Sequence, residues 1–197
     1  MIKGIFFDSG NVLVKEGFAP GIAEYEKKYK ITKGQLYASC HDHGYWKEFT
    51  LGNISESEYL RQVAKNFAQP LDVEELKRLI YQSIVPNRLL FKFAKTLKDQ
   101  YILGIISNHP KEWFNYVWRE YQWSMIFKIK SVSGELHIRK PDVRIFIDAL
   151  NQSKIKGDEA IYIDDRPERG LAAEELGIKV LIYKNLTQLK KDIKKYL

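Results

Sequence analysis

The chain has 197 residues, 45% of them hydrophobic and 29% charged, with twelve Gly, six Pro and a single Cys. That balance excludes fibrous, disulfide-stapled and intrinsically disordered classes, and the length suits one core of roughly 100–150 residues with an accessory element. Lys and Arg exceed Asp and Glu by 32 to 25, a formal charge of +7, and its clusters, such as Lys190, Lys191, Lys194 and Lys195, read better as solvated helix faces than as a nucleic-acid stripe.

The apolar run Ile2–Phe7 reads as the first strand. Residues 16–85 offer helical pattern and no convincing strand: Ile22–Tyr29, Lys33–Cys40, Ser55–Phe67 and Asp72–Tyr81 read as four helices. Thr32 and Ser55 stand where N-caps belong, and Ser55 with Glu58 matches a capping box. Strand and helix then alternate. Strands are expected at Ile102–Ser107, Ile126–Val132, Ala160–Ile163 and Val180–Tyr183, and helices at Arg88–Lys98, Lys111–Tyr121, Pro141–Asn151 and Glu168–Leu176, the last stopped by Gly177. The pattern predicts an α/β fold, a Rossmann-like parallel sheet of about five strands covered by helices. Residues 1–15 and 86–197 would form this core and 16–85 an inserted helical cap over the strand ends.

No apolar run approaches the roughly 20 residues of a membrane helix. The run before Asp8 is too short and too soon acidic for a secretory signal, and lone Cys40 cannot bridge internally. A cytoplasmic protein without membrane or nucleic-acid partners is expected.

Four segments place chemistry at carboxyl strand ends. Phe6-Phe7-Asp8-Ser9-Gly10 runs a strand into an acid and then into small residues; Ile105-Ile106-Ser107-Asn108 ends in a hydroxyl and an amide. Lys140 stands before Pro141, which can open a helix, and Ile161-Tyr162-Ile163-Asp164-Asp165 ends in two carboxylates. Singly, each has a bland reading as a turn, a cap or a solvated charge. Together, three acids, a Lys and a Ser at strand ends suit a hard divalent cation beside a phosphate.

In order, Asp8-x-Gly10-x-Val12-Leu13, Ser107-Asn108, Lys140-Pro141-Asp142-x-x-Ile145-Phe146 and Ile163-Asp164-Asp165, followed by Ala172-Ala173 and Leu176-Gly177, resemble the haloacid dehalogenase-like hydrolase superfamily, in its subgroup with an α-helical cap. The resemblance covers essentially the whole chain. It implies a phosphatase that hydrolyses a small phosphomonoester through an aspartyl-phosphate on Asp8, with Lys140 stabilising charge. Mg²⁺ would be held by Asp8, the Gly10 carbonyl and Asp165, with Asp164 as second ligand or support. Ser107 and the backbone N–H groups after Asp8, at Ser9 and Gly10, would hold phosphoryl oxygens, and Asn108 would orient substrate.

Two positions depart from the family pattern. Most of its phosphatases carry a second Asp, the general acid, where this chain has Gly10; Arg169 stands where Asn is common and reads as a structural charge or an extra anion contact, the structural reading preferred. The alternatives are a 2-haloacid dehalogenase-type hydrolase, for which two further acids have little use, and a non-catalytic phospho-ligand-binding relative.

The insert stretch Cys40-His41-Asp42-His43-Gly44-Tyr45-Trp46-Lys47 reads as helix passing into loop, lining the substrate or packing the cap rather than holding a second metal. His109 sits beside the expected site. The aromatics from Trp113 to Trp123 cover more than one helical face, and the leftover face is a candidate homodimer surface.

Overall fold

A computed structural model describes residues 1–15, 18–42 and 44–197. In chain order the elements are β1 (Gly4–Phe7), β2 (Val14–Lys15), α1 (Ala19–Lys28), α2 (Gln35–Asp42), α3 (Tyr45–Thr50), α4 (Glu56–Ala64), α5 (Val73–Ser83) and β3 (Val85–Pro86). There follow α6 (Arg88–Leu97), β4 (Ile102–Ser107), α7 (Lys111–Glu120), β5 (Ile129–Val132), α8 (Ser133–Leu136), α9 (Arg144–Ser153), β6 (Ala160–Asp164), α10 (Pro167–Glu174), β7 (Lys179–Ile182) and α11 (Leu186–Ile193).

Five strands form one parallel sheet in the order β5-β4-β1-β6-β7, as the alternation of strands and helices predicts. Both faces are apolar, so neighbouring side chains of β1 serve opposite layers: Ile5 and Phe7 join Leu90, Phe114 and Ile193, while Phe6 joins Ile145, Phe146 and Ala173. The chain moves outward from β1 through β4 and β5, then returns to the other side at β6. The carboxyl ends of β1 and β6 therefore flank the point where strand order reverses, the usual ligand crevice of an open α/β sheet.

Helices α1 to α5 lie between β2 and β3, which pair antiparallel. Sequence periodicity misses this two-residue pairing because it is shorter than any readable alternation. It also misses α3, which starts at Gly44 in a left-handed conformation (φ 73°), and α11.

Ser55 caps α4 by accepting from the Glu58 N–H at 3.2 Å. The Glu58 carboxylate pairs with Arg61 and Gln62, so only half of the expected capping box forms. The start of α2 is served by the buried carboxylate of Glu26, which accepts from the N–H groups of Gly34, Leu36 and Tyr37 at 2.8–3.2 Å, so Thr32 is not its cap. Pro141 lies in a turn, and α9 begins three residues later. Trp113, Phe114 and Trp123 are buried, while Tyr116 and Trp118 are half-buried against Tyr81 and Phe114. The expected leftover aromatic face is thus partly covered and partly open. No helix of the described residues is long and apolar enough to cross a membrane.

Candidate active site

Asp8 follows β1, Ser107 ends β4, Asp164 ends β6 with Asp165 next, and Lys140 reaches in from the turn before α9. The Lys140 side chain is fully buried, with Nζ 2.8 Å from Asp164 Oδ2 and 2.9 Å from Asp8 Oδ1. It also donates to the Tyr162 hydroxyl, which in turn donates to Asp164. Asp164 Oδ1 accepts from the Arg166 N–H at 2.9 Å, so both of its oxygens are engaged. Burial opposes the Asp164 carboxylate, but the charge and hydrogen bond of Lys140 outweigh it and hold its pKa below the usual range. Asp165 is driven the other way. Burial and the neighbouring carboxylates raise its pKa against the hydrogen bond from Asn11 Nδ2, at 3.1 Å.

One carboxylate oxygen from each of Asp8, Asp164 and Asp165 lies within 4.8 Å of the others. Asp8 Oδ1 and Asp165 Oδ1 are buried and accept no hydrogen bond among the described residues. The Lys140 contact to Asp8 Oδ1 has ion-pair distance without hydrogen-bond direction, which leaves lone pairs free. A set of hard carboxylate oxygens with unused lone pairs fits a Mg²⁺-like cation and lacks the His or Cys a zinc site would use.

Ser107 and Gly10 line the cavity above Asp8. The Ser9 hydroxyl is buried and without a partner among the described residues, away from the cavity lining. Asn108 also lines the cavity, but its amide is spent on Lys140: Oδ1 accepts from the Lys140 N–H at 2.7 Å and Nδ2 donates to its carbonyl at 3.0 Å. This clamp fixes the backbone that carries the buried ammonium.

Arg169 lies at the centre of the site, against the preferred structural reading and in keeping with the other one, an anion contact: Nη1 donates to Asp8 Oδ2 at 3.2 Å, and the side chain lines the cavity. It stands in the first turn of α10, four residues after Asp165, and that spacing is the sequence signal for its place.

The cavity holds about 390 Å³, within the range of small-molecule sites. One wall is aromatic. Phe18 stacks on His41 with centroids 5.4 Å apart and meets Trp46 and Trp113 at 4.9 and 4.8 Å. Arg139, Arg166 and Arg169 line the cavity as well. His109 joins the lining, its Nδ1 3.2 Å from the Pro110 carbonyl, and burial lowers its pKa. His43 and the Asp42 side chain lie outside the described residues. The helices meet the sheet side along a polar seam: Trp113 Nε1 donates to Glu56 Oε1 at 2.6 Å, and Ser133 Oγ donates to the Thr50 carbonyl. Gly52 and Gly134 also touch there so closely that a Cβ at Gly52 would fall 2.3 Å from the Gly134 oxygen.

The profile of haloacid dehalogenase-like hydrolases matches residues 50–183. The chain belongs to this hydrolase family. Among family-like relatives, flavin mononucleotide hydrolase 1 of Arabidopsis thaliana is 25% identical over 96% of this chain and 75% of its own length. Sesquiterpene phosphatase astK of Aspergillus oryzae is 25% identical over 68% of this chain and 69% of its own. The fold matches HAD family enzyme BT-2542 of Bacteroides thetaiotaomicron, solved with magnesium and inorganic phosphate. The TM-score is 0.80 at 19% identity, covering 96% of this chain and 99% of that one. In this haloacid dehalogenase-like hydrolase, Asp8, Asp164 and Asp165 form the one group of three or more potential metal-ligating side chains found among the described residues.

Proposed function

We propose that the chain is a Mg²⁺-dependent phosphatase acting on a small phosphomonoester, with residues 1–15 and 86–197 as catalytic core, 16–85 as helical cap, and a cytoplasmic setting. The observation that carries this reading is the fully buried Lys140 ammonium between Asp8 and Asp164. It sits beside carboxylate oxygens that have no hydrogen bond among the described residues. Two relatives named as a mononucleotide hydrolase and a phosphatase, and a fold neighbour solved with magnesium and phosphate, support it.

Asp8 is the nucleophile: a carboxylate oxygen attacks phosphorus, the ester oxygen leaves with its electron pair, and water then attacks the same phosphorus to free Asp8. Lys140 lies in ion-pair contact with Asp8 and balances charge on the phosphoryl oxygens. Ser107 and the N–H groups of Ser9 and Gly10 hold those oxygens, and Arg169 approaches them from α10. When bound by Asp8, the Gly10 carbonyl and Asp165, Mg²⁺ would supply charge to offset the repulsion between a carboxylate and a phosphate dianion. Asp164, with both oxygens engaged, acts chiefly by fixing Lys140. Asn108 acts on substrate through its clamp on Lys140.

Phenyl phosphate assayed with Mg²⁺, with EDTA and with Asp8→Asn, alongside 2-chloropropionate, tests this reading. Phosphate release is expected only with Mg²⁺, and it should fall at least about 10³-fold in Asp8→Asn. Release that survives Asp8→Asn removes the nucleophile assignment, and chloride release without phosphate release removes the phosphatase.

A further inference from the structure

Buried charges are ordinarily paired, because an ion that gives up its hydration needs a compensating partner. Lys140 and Arg169 obey this rule at Asp8 and Asp164. Arg139 does not. It is half-buried in the cavity wall, and its hydrogen bond goes from Nη1 to a neutral acceptor, the Thr50 hydroxyl, at 3.1 Å. No carboxylate lies within ion-pair distance of it among the described residues. Burial first, and then the like charge of Arg169, lower its pKa, with no anion acting the other way.

The charges around these two arginines also order them. Arg169 feels Asp8, Asp164 and Asp165, whereas the neighbouring charge that acts on Arg139 is Arg169 itself. Arg169 reaches Asp8 Oδ2 at 3.2 Å, whereas no described carboxylate, Asp8 included, lies within ion-pair distance of Arg139, so Arg139 stands further from the nucleophile than Arg169 in the same cavity wall. The same cavity is lined by Phe18, Tyr37, Trp46 and Trp113, and Asp8 is the only carboxylate among the described lining residues. Such a wall offers ring faces and few acceptors for sugar hydroxyls.

We propose that the cavity takes a phosphate ester of a flat or apolar organic group bearing a second anion, carboxylate or phosphate, and that Arg139 binds that second anion. The inference rests on the phosphatase reading for the fate of the ester, but not for its binding. A guanidinium already stripped of part of its water and held by Thr50 at the seam is prepared for a two-pronged bond to such a group.

Non-hydrolysable phosphonates test it by calorimetry on the whole protein with Mg²⁺: benzylphosphonate, its 3- and 4-carboxy derivatives, and p-xylylenebisphosphonate. At least one compound with a second anion should bind about tenfold or more tightly than benzylphosphonate, and the tighter class identifies carboxylate or phosphate. In Arg139→Gln that ratio should fall towards one, and Arg139→Lys should keep part of it. The ligand-free Tm of Arg139→Gln should equal or exceed that of the parent, since an uncompensated charge has gone. Equal affinity for all compounds in the parent protein overturns the proposal, as does a preference that survives Arg139→Gln. A Tm lowered by several degrees overturns it too, by making Arg139 structural. A protein that hydrolyses phenyl phosphate while binding all compounds alike loses this inference and keeps the phosphatase; one with the preference and no turnover does the reverse.

Discussion

On the sheet side of the cavity, Asp8, Lys140, Tyr162 and Asp164 are almost completely buried; directional bonds tie Lys140, Tyr162 and Asp164 together, Arg169 bonds Asp8, and Asn108 clamps the backbone of Lys140. On the helical side, Phe18, Trp46 and Phe49 meet one another by ring contacts of 4.9–6.2 Å and pack on Trp113 of α7 at 4.8–5.8 Å, and no hydrogen bond among the described residues orients the three insert rings. The two sides carry different tolerances. A buried polar network requires every member, because removing one strands the others, whereas an aromatic wall keeps most of its contacts when one ring changes. Chemistry is thereby confined to positions that cannot drift, and the choice of organic group is left to a surface that can.

The sharpest break of that contrast is Lys140→Met. It leaves Asp8 and Asp164 buried without their cation, and the loss of one partner from such a pair costs about 3–5 kcal/mol. Urea unfolding should show that loss together with collapse of phosphate release. A cost below about 1 kcal/mol would mean that the carboxylates relax or take up protons, and the sheet side would then be no less tolerant than the aromatic one.

The same contrast explains which features could be read in advance. Strand ends were legible because an acid or hydroxyl closing an apolar β-branched run is a local signal, and Asp8, Ser107 and Asp164 stand where the runs stop. Arg139 was not, and Arg169 was legible only as one of two readings, a structural charge or an anion contact. An Arg in a charged helix or beside a Lys looks like any solvated charge, and only the fold turns it towards Asp8 or Thr50. Within the insert, α1, α4 and α5 carry a periodic stripe, but α3 is a six-residue piece set by the turn at Gly44 and by packing of Trp46 and Phe49. The cap of α2 was hidden because its carboxylate, Glu26, lies eight to eleven residues from the N–H groups it serves.

Gly10→Asp sharpens the comparison from the other direction, by adding a polar group to the sheet side. A Cβ built at Gly10 meets nothing within 4 Å, and the backbone there is not in the left-handed region, so the side chain has room facing the cavity. Without an acid at this position, esters that leave as stable anions should be favoured, since a positioned acid is worth about 10²–10⁴-fold. Gly10→Asp should therefore raise kcat/KM for 2-phenylethyl phosphate by about 10²-fold relative to phenyl phosphate. Equal changes on both substrates would show that leaving-group protonation does not limit this site.

The smallest effect is expected at the seam, where Trp113 makes one of several directional bonds between the two sides. Trp113 Nε1 donates to Glu56 Oε1, while Glu56 Oε2 lies 2.5 Å from Lys77 Nζ within the helical insert. Trp113→Phe keeps a large ring and removes the donor, leaving one oxygen of a nearly buried carboxylate unsatisfied at a cost of about 1–3 kcal/mol. Lys77 still compensates the charge, so the lower end is expected, a fall of about 2–4 °C in Tm for a chain of this size. Glu56→Gln alone should also destabilise, and the double variant should recover about 1 kcal/mol of the summed losses if the bond itself couples the two sides. Additivity within about 0.3 kcal/mol would show instead that this bond adds nothing to the packing between the two sides, extending the contrast between the two walls to this part of their boundary.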